Sequence, residues 1–147
     1  MNEVVKRQDE LIQEYAQIPT WEERYKHLIN QGKIIGAMPK ELYDEKFKVR
    51  GCQSQVWLHA SLLLNGKIQF QGDSDALIVK GLVALLIRTY SGASPEDILG
   101  AKTDFLKELG FEGHLSPSRA NGLYAMLKQI LYYATAFQAL AKMSSRN

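Results

Sequence analysis

The chain has 147 residues, 46% of them hydrophobic and 23% charged, which supplies one ordinary core and leaves too few residues for two independent domains, so a single domain over residues 1–147 is expected. Its net charge of +2 comes from interspersed signs with no phosphate-tracking stripe of Lys and Arg. It has no signal core near Met1 and no apolar run of membrane-spanning length, so neither nucleic acid nor membrane is an expected partner.

In chain order, residues 4–16 carry Val4, Val5, Leu11, Ile12 and Tyr15 among charges, a helical stripe suited to docking that Pro19 ends. Thr20 followed by Glu23 has the capping-box spacing, and Trp21, Tyr25, Leu28 and Ile29 give the next helix one apolar face to about Gln31. Gly32 and Gly36 loosen its continuation and Pro39 punctuates it, with one short helical turn expected over residues 40–45. The period then changes. Phe47 and Val49 alternate with Lys48 and Arg50, residues 56–64 are rich in aromatic and aliphatic side chains, and residues 67–71 place Ile68 and Phe70 on one face. Asn65-Gly66 between the last two runs is a type I′ hairpin signal. The expectation is an α+β fold in which a three-stranded antiparallel meander has its apolar face covered by helices.

Gly72, Asp73, Ser74 and Asp75 form a polar loop that caps the following helix over residues 76–90, whose buried side includes Leu77, Ile78, Leu82, Leu85 and Leu86. Apolarity nearly all round marks it as the central helix. Ser94-Pro95 starts a short helix through Leu99, Thr103-Asp104 another that stops at Gly110, and Ser116-Pro117 a long one to about Met143. Along that last helix Tyr124, Tyr132, Tyr133 and Phe137 have the spacing of packing residues.

The chemistry concentrates at one place. Cys52 is the only cysteine, which excludes a disulfide framework, and with His27, His59 and His114 scattered it offers no convincing ligand set for zinc or an iron–sulfur cluster. No metal or cofactor is expected, and a reduced cytoplasmic thiol fits best. A lone cysteine is often a small core hydrophobe. Here Gly51 permits a turn while Gln53 and Ser54 are poor core neighbours, which sets a presented nucleophile beside the core reading as the second alternative. No Gly-rich phosphate loop opens a helix. Asp73 and Asp75 are too few oxygens for a hard cation and suit helix capping. A Cys-His enzyme would need an imidazole near the thiol; His59 is carried away along a strand, leaving His114.

Four blocks, in order, resemble the SufE family of sulfur-acceptor proteins, whose members include CsdE-like chains. They are Trp21-Glu22-Glu23-Arg24-Tyr25, the run Gly51-Cys52-Gln53-Ser54-Gln55-Val56-Trp57, the run Gln71-Gly72-Asp73-Ser74-Asp75-Ala76 with Ile78-Val79-Lys80-Gly81-Leu82, and His114-Leu115-Ser116-Pro117-Ser118-Arg119 with Asn121-Gly122-Leu123. The resemblance covers about residues 20–127 and implies a fold shared with cluster scaffolds of the IscU type. It also implies a persulfide relay, in which Cys52 takes sulfur from a pyridoxal-phosphate-dependent cysteine desulfurase, activates that enzyme by doing so, and passes the sulfur to an iron–sulfur scaffold, with no independent turnover. Gly51, Gln53, Ser54, Asp73, Asp75 and Arg119 are the residues expected to shape the thiol's environment or meet the partner. Arg119 is a candidate helper of the thiolate, with a salt bridge to Asp73 or Asp75 as the alternative. The loop at residues 72–75 is a candidate cover for the thiol. A monomer or weak homodimer is expected. Two rival readings are a noncatalytic regulator that stimulates the desulfurase by docking alone, and an independent thiol enzyme using Cys52 with His114.

Overall fold

A computed structural model describes residues 1–145. The fold is α+β, with six α-helices and a two-stranded antiparallel sheet among the described residues. Helix α1 (Glu3–Ala16) is capped by Asn2, whose side chain accepts from the Val4 and Val5 amides, and it buries Val4, Gln8, Leu11 and Tyr15 as a single stripe. Val5, included in the expected stripe, lies outside it and is exposed. Helix α2 (Trp21–Ile35) starts where the capping-box spacing places it, with the Thr20 hydroxyl accepting from the Glu23 amide.

Gly32 does not loosen α2. The helix runs on to Ile35, and Gly32 lies against Gly81 of α3 (Leu77–Tyr90), where a Cβ would stand 2.8 Å from the Gly81 backbone nitrogen. The two glycines remove the side chains that would hold the helices apart. Helix α3 is the central element, burying Val79, Leu82, Val83, Leu85 and Leu86 between α2, the sheet and α6 (Pro117–Ser145). Leu77 departs from expectation at 62% exposed, while Val79 in the same turn is buried.

Strand β1 (Val56–Leu62) pairs with β2 (Ile68–Ser74) in the register Val56 to Ser74 and Leu62 to Ile68. Period two then sets Val56, Leu58, Ile68, Phe70 and Gly72 on the face that α3 covers. The connection is a hairpin, but not type I′. Only Gly66 takes a positive φ, of 83°, while the Gly66 amide donates to the Leu63 carbonyl and the Leu63 amide to Lys67, which is a type I turn closed by a left-handed glycine.

The third strand is not formed. Residues 45–47 coil into a 3₁₀ turn capped by Asp44, and only Lys48 makes an isolated bridge, to Trp57. The Phe47 ring sits edge-on to His59, and the Tyr43 hydroxyl donates to the Asp73 carboxylate. These anchors draw residues 43–47 across the outer face of the sheet, where an extended strand beside β1 would forfeit both. Asp73 and Ser74 likewise belong to β2 and not to a loop, and Ala76 occupies the cap position of α3 with no side-chain bond to the helix.

Helix α4 (Pro95–Gly100) and α6 start at their Ser-Pro pairs; Ser94 accepts from Asp97 and Ser116 from Arg119. Between them α5 (Phe105–Glu108) ends in a left-handed Gly110. Tyr133 of α6 packs toward Phe70 and donates to the Leu58 carbonyl, as expected of a packing residue, whereas Tyr132 is exposed. Glu14 fastens the helical layer, receiving both Arg88 guanidinium nitrogens at 2.7 and 2.8 Å with His27 at 2.8 Å, and the Arg88 pairing holds its carboxyl at about 2. Among the described residues no helix is long and apolar enough to cross a membrane, and no three His, Cys, Asp or Glu side chains gather to hold a metal ion.

Candidate functional site

The site begins with how residues 50–55 leave and rejoin the fold. The Val49 amide donates to the Val56 carbonyl at 2.9 Å, closing the loop at its base. Gly51 turns it with φ of 90°, a conformation that a side chain would strain, and a Cβ there would already approach the Cβ of Ala125 at 3.7 Å. Asp75 fixes the far end. Its carboxylate accepts from the Gln55 amide at 3.0 Å and from the Gln55 side chain at 3.3 Å, while its own amide donates to the Gln55 carbonyl.

Asp73 works one layer deeper. It is buried, bonded to Tyr43 and paired with Lys80 at 3.1 Å, so it ties residues 38–48, which lead into the loop, to β2 and α3. The expected cover at residues 72–75 is therefore a rigid strand end. Its two carboxylates anchor the segments before and after the cysteine and do not lie over the thiol.

Helix α6 supplies the floor. Cys52 is half-buried, and its thiol donates to the Gly122 carbonyl at 3.7 Å. A Cβ at Gly122 would stand 3.4 Å from Sγ, in van der Waals contact, so the loop lies directly on the helix here. A cavity of about 330 Å³ opens beside the sulfur, lined by Gln53, Ser54, Ser116, Ser118 and Arg119 on its polar side and by Val79, Gly122 and Met126. A second cavity of about 300 Å³, on the Arg50 side of the loop, also reaches Cys52.

Of the residues expected here, Gly51, Cys52, Gln53, Ser54 and Arg119 come together, and Asp73 and Asp75 hold the frame. The alternative salt bridge from Arg119 to either aspartate is not made, since both carboxylates are engaged elsewhere. His114 is not at the thiol. Its ring stacks on Trp21 at 3.9 Å and 14°, and no histidine lines either cavity around Cys52. Gly122 and Val79 sit inside the resembling blocks, yet the contact of Gly122 with the sulfur and the place of Val79 in the cavity wall are long-range, and only the folded chain reveals them.

The thiol's chemistry follows from this setting. Burial pushes the Cys52 thiol above its ordinary pKa, and only the protonated sulfur donates to Gly122. The resting group is a neutral thiol. Alkylation by iodoacetamide is accordingly expected to rise with pH around a midpoint above that of an exposed cysteine, and to be slower at neutral pH in the native protein than in urea. The sign is that of an acid binding its proton more tightly when folded, so its contribution to stability is whole below the unfolded value and lost as pH climbs through the raised one. A native midpoint at or below the urea value would contradict the sheltered geometry.

The sequence pattern of the family described as "SufE: Fe-S metabolism associated domain" matches residues 9–134. An uncharacterized SufE-like protein of Synechocystis sp. is 45% identical over 115 residues, covering 78% of this chain and 72% of that one. A hypothetical protein of Thermus thermophilus, known from a solution structure, shares the fold with a TM-score of 0.76 at 24% identity, over 90% of this chain and 96% of that one.

Proposed function

The chain belongs to the SufE family, whose domain is associated with iron–sulfur metabolism, and from that premise we propose that it is the sulfur acceptor and activator of a cysteine desulfurase in the cytoplasm. The observation that carries this reading is a half-buried cysteine at the mouth of a cavity, on a loop closed at both ends, with no histidine to serve it as a base. Such a thiol is poorly equipped for turnover by itself and well placed to hold a labile group.

In the proposed relay the desulfurase carries a persulfide on its own cysteine, made with its pyridoxal phosphate. The Cys52 thiolate attacks the outer sulfur of that persulfide, a new S–S bond forms, the old one breaks, and the bonding pair leaves with the desulfurase cysteine as its thiolate. Removing the sulfur frees the desulfurase for another cycle. The Cys52 persulfide is then surrendered by the same step in reverse to a thiolate of an iron–sulfur scaffold.

Shelter and reactivity are divided between the free and docked forms. Alone, the loop keeps Sγ on Gly122, protonated and away from oxidants, the condition a persulfide also needs. Docking lifts the sulfur from that carbonyl toward the positive charges of Arg50 and Arg119, which line the cavities and favour the anion. The test is to incubate the protein with its host's desulfurase and free cysteine and measure intact mass. One added sulfur atom on the peptide containing Cys52 is expected. Its absence, with the desulfurase active, would sink the relay.

A further inference from the structure

The cavity beside Cys52 has a composition that a protein loop alone does not require. Its volume of about 330 Å³ lies at the small end of the roughly 300–1,000 Å³ typical of small-molecule sites. Val79, Gly122 and Met126 give it one apolar side, and Ser54, Ser116, Ser118 and Arg119 a polar one, with the hydroxyls of Ser116 and Ser118 3.4 Å apart.

Among the described residues the Arg119 guanidinium has no hydrogen bond or ion pair; only its backbone amide is engaged, with Ser116. Neither carboxylate expected to take its charge pairs with it: Asp73 bonds to Tyr43 and Lys80, and Asp75 accepts from the neutral Gln55. An uncommitted planar cation, flanked by hydroxyls and sharing one cavity with a nucleophilic sulfur, matches a small molecule with a carboxylate at one end and a thiol a few bonds away.

Resting on the relay reading above, we infer that this cavity is a binding site for low-molecular-weight thiols that bear a carboxylate, and that Cys52 exchanges its outer sulfur with them directly. The carboxylate lies on Arg119, and the thiolate of the bound molecule attacks the outer sulfur of the Cys52 persulfide. The new S–S bond forms on the small molecule as the one to Sγ breaks. The bonding pair stays on Cys52 as thiolate, and the persulfide proton travels with the transferred sulfur, so no oxidant or reductant is consumed.

The experiment installs the persulfide chemically, with inorganic polysulfide and no desulfurase, and compares L-cysteine with cysteamine, which lacks only the carboxylate. Intact mass follows loss of the sulfur, and iodoacetamide traps the product. L-Cysteine is expected to unload the native protein about tenfold faster than cysteamine, the low end of what one charge-assisted hydrogen bond supplies. Arg119→Leu is expected to bring the ratio near unity, and the trapped product to be cysteine persulfide. A ratio near unity in the native protein, a preference that survives Arg119→Leu, or release of sulfide with a mixed disulfide left on Cys52 overturns the site. None of these outcomes touches loading by the desulfurase, which the preceding mass measurement reads separately.

Discussion

Cys52→Ser is expected to abolish sulfur uptake from the desulfurase completely while lowering stability by no more than about 1 kcal/mol, the centre of the range for point substitutions, since the side chain is only half-buried. The replacement is close in size, and a serine hydroxyl can donate to the same Gly122 carbonyl that receives the thiol. What it lacks is chemistry, because a hydroxyl neither ionises in this pH range nor forms a stable bond to sulfane sulfur. Two readouts separate the readings. If Cys52 accepts sulfur, the serine variant adds no mass, does not accelerate the desulfurase, and competes with the native protein for it, because the surface around residue 52 is otherwise unchanged. If docking alone stimulates, the serine variant accelerates the desulfurase as well as the native chain does, and the noncatalytic regulator takes the place of the relay. An enzyme pairing Cys52 with His114 as its base is not favoured by the fold, in which the His114 ring is stacked on Trp21.

How much of this was legible in the chain depends on the range of the interactions involved. Thr20, Ser94 and Ser116 mark their helix starts correctly because a cap is satisfied within three residues. The β1–β2 hairpin is legible for the same reason, although its turn type is not, since Asn65 keeps a negative φ and spends its side chain on the Lys67 amide. Residues 47–50 alternate like a strand, yet their fate is decided by where Tyr43 and Phe47 find partners, on Asp73 and His59. At the site, Cys52 is conspicuous from its neighbours, and the family resemblance brings Asp73, Asp75 and Arg119 to attention, although capping and cover are not what the aspartates do. That the aspartates frame the loop, and that Gly122 receives the sulfur from 70 residues away, are facts of tertiary contact. Gly32 shows the same limit: locally a glycine weakens a helix, and only the facing Gly81 shows what its missing side chain is for.

That facing pair carries the largest stability effect expected of a single methyl group. Gly81→Ala would place its Cβ 2.5 Å from the Leu28 carbonyl oxygen and 2.9 Å from the carbonyl carbon, which are backbone atoms of α2 that no rotamer change can move aside. Alanine's higher helix propensity returns about 1 kcal/mol at most, against an overpacking cost of about 3 kcal/mol or more when backbone must shift. A net loss of about 2–3 kcal/mol should lower Tm by about 5–10 °C for a chain of this size. The consequence reaches the thiol, because α3 carries Val79 into the cavity wall and Lys80 onto Asp73. Forced away from α2, its first turns shift the frame that holds residues 50–55, so Cys52 should alkylate faster at neutral pH. Gly32→Ala, with its Cβ at 2.8 Å from Gly81, should behave alike, and the double variant should cost less than the sum, since one displacement of α3 relieves both clashes. A Gly81→Ala protein that melts with the native chain would mean that α2 and α3 do not cross at backbone contact, and the cavity wall that Val79 supplies would have to rest on something else.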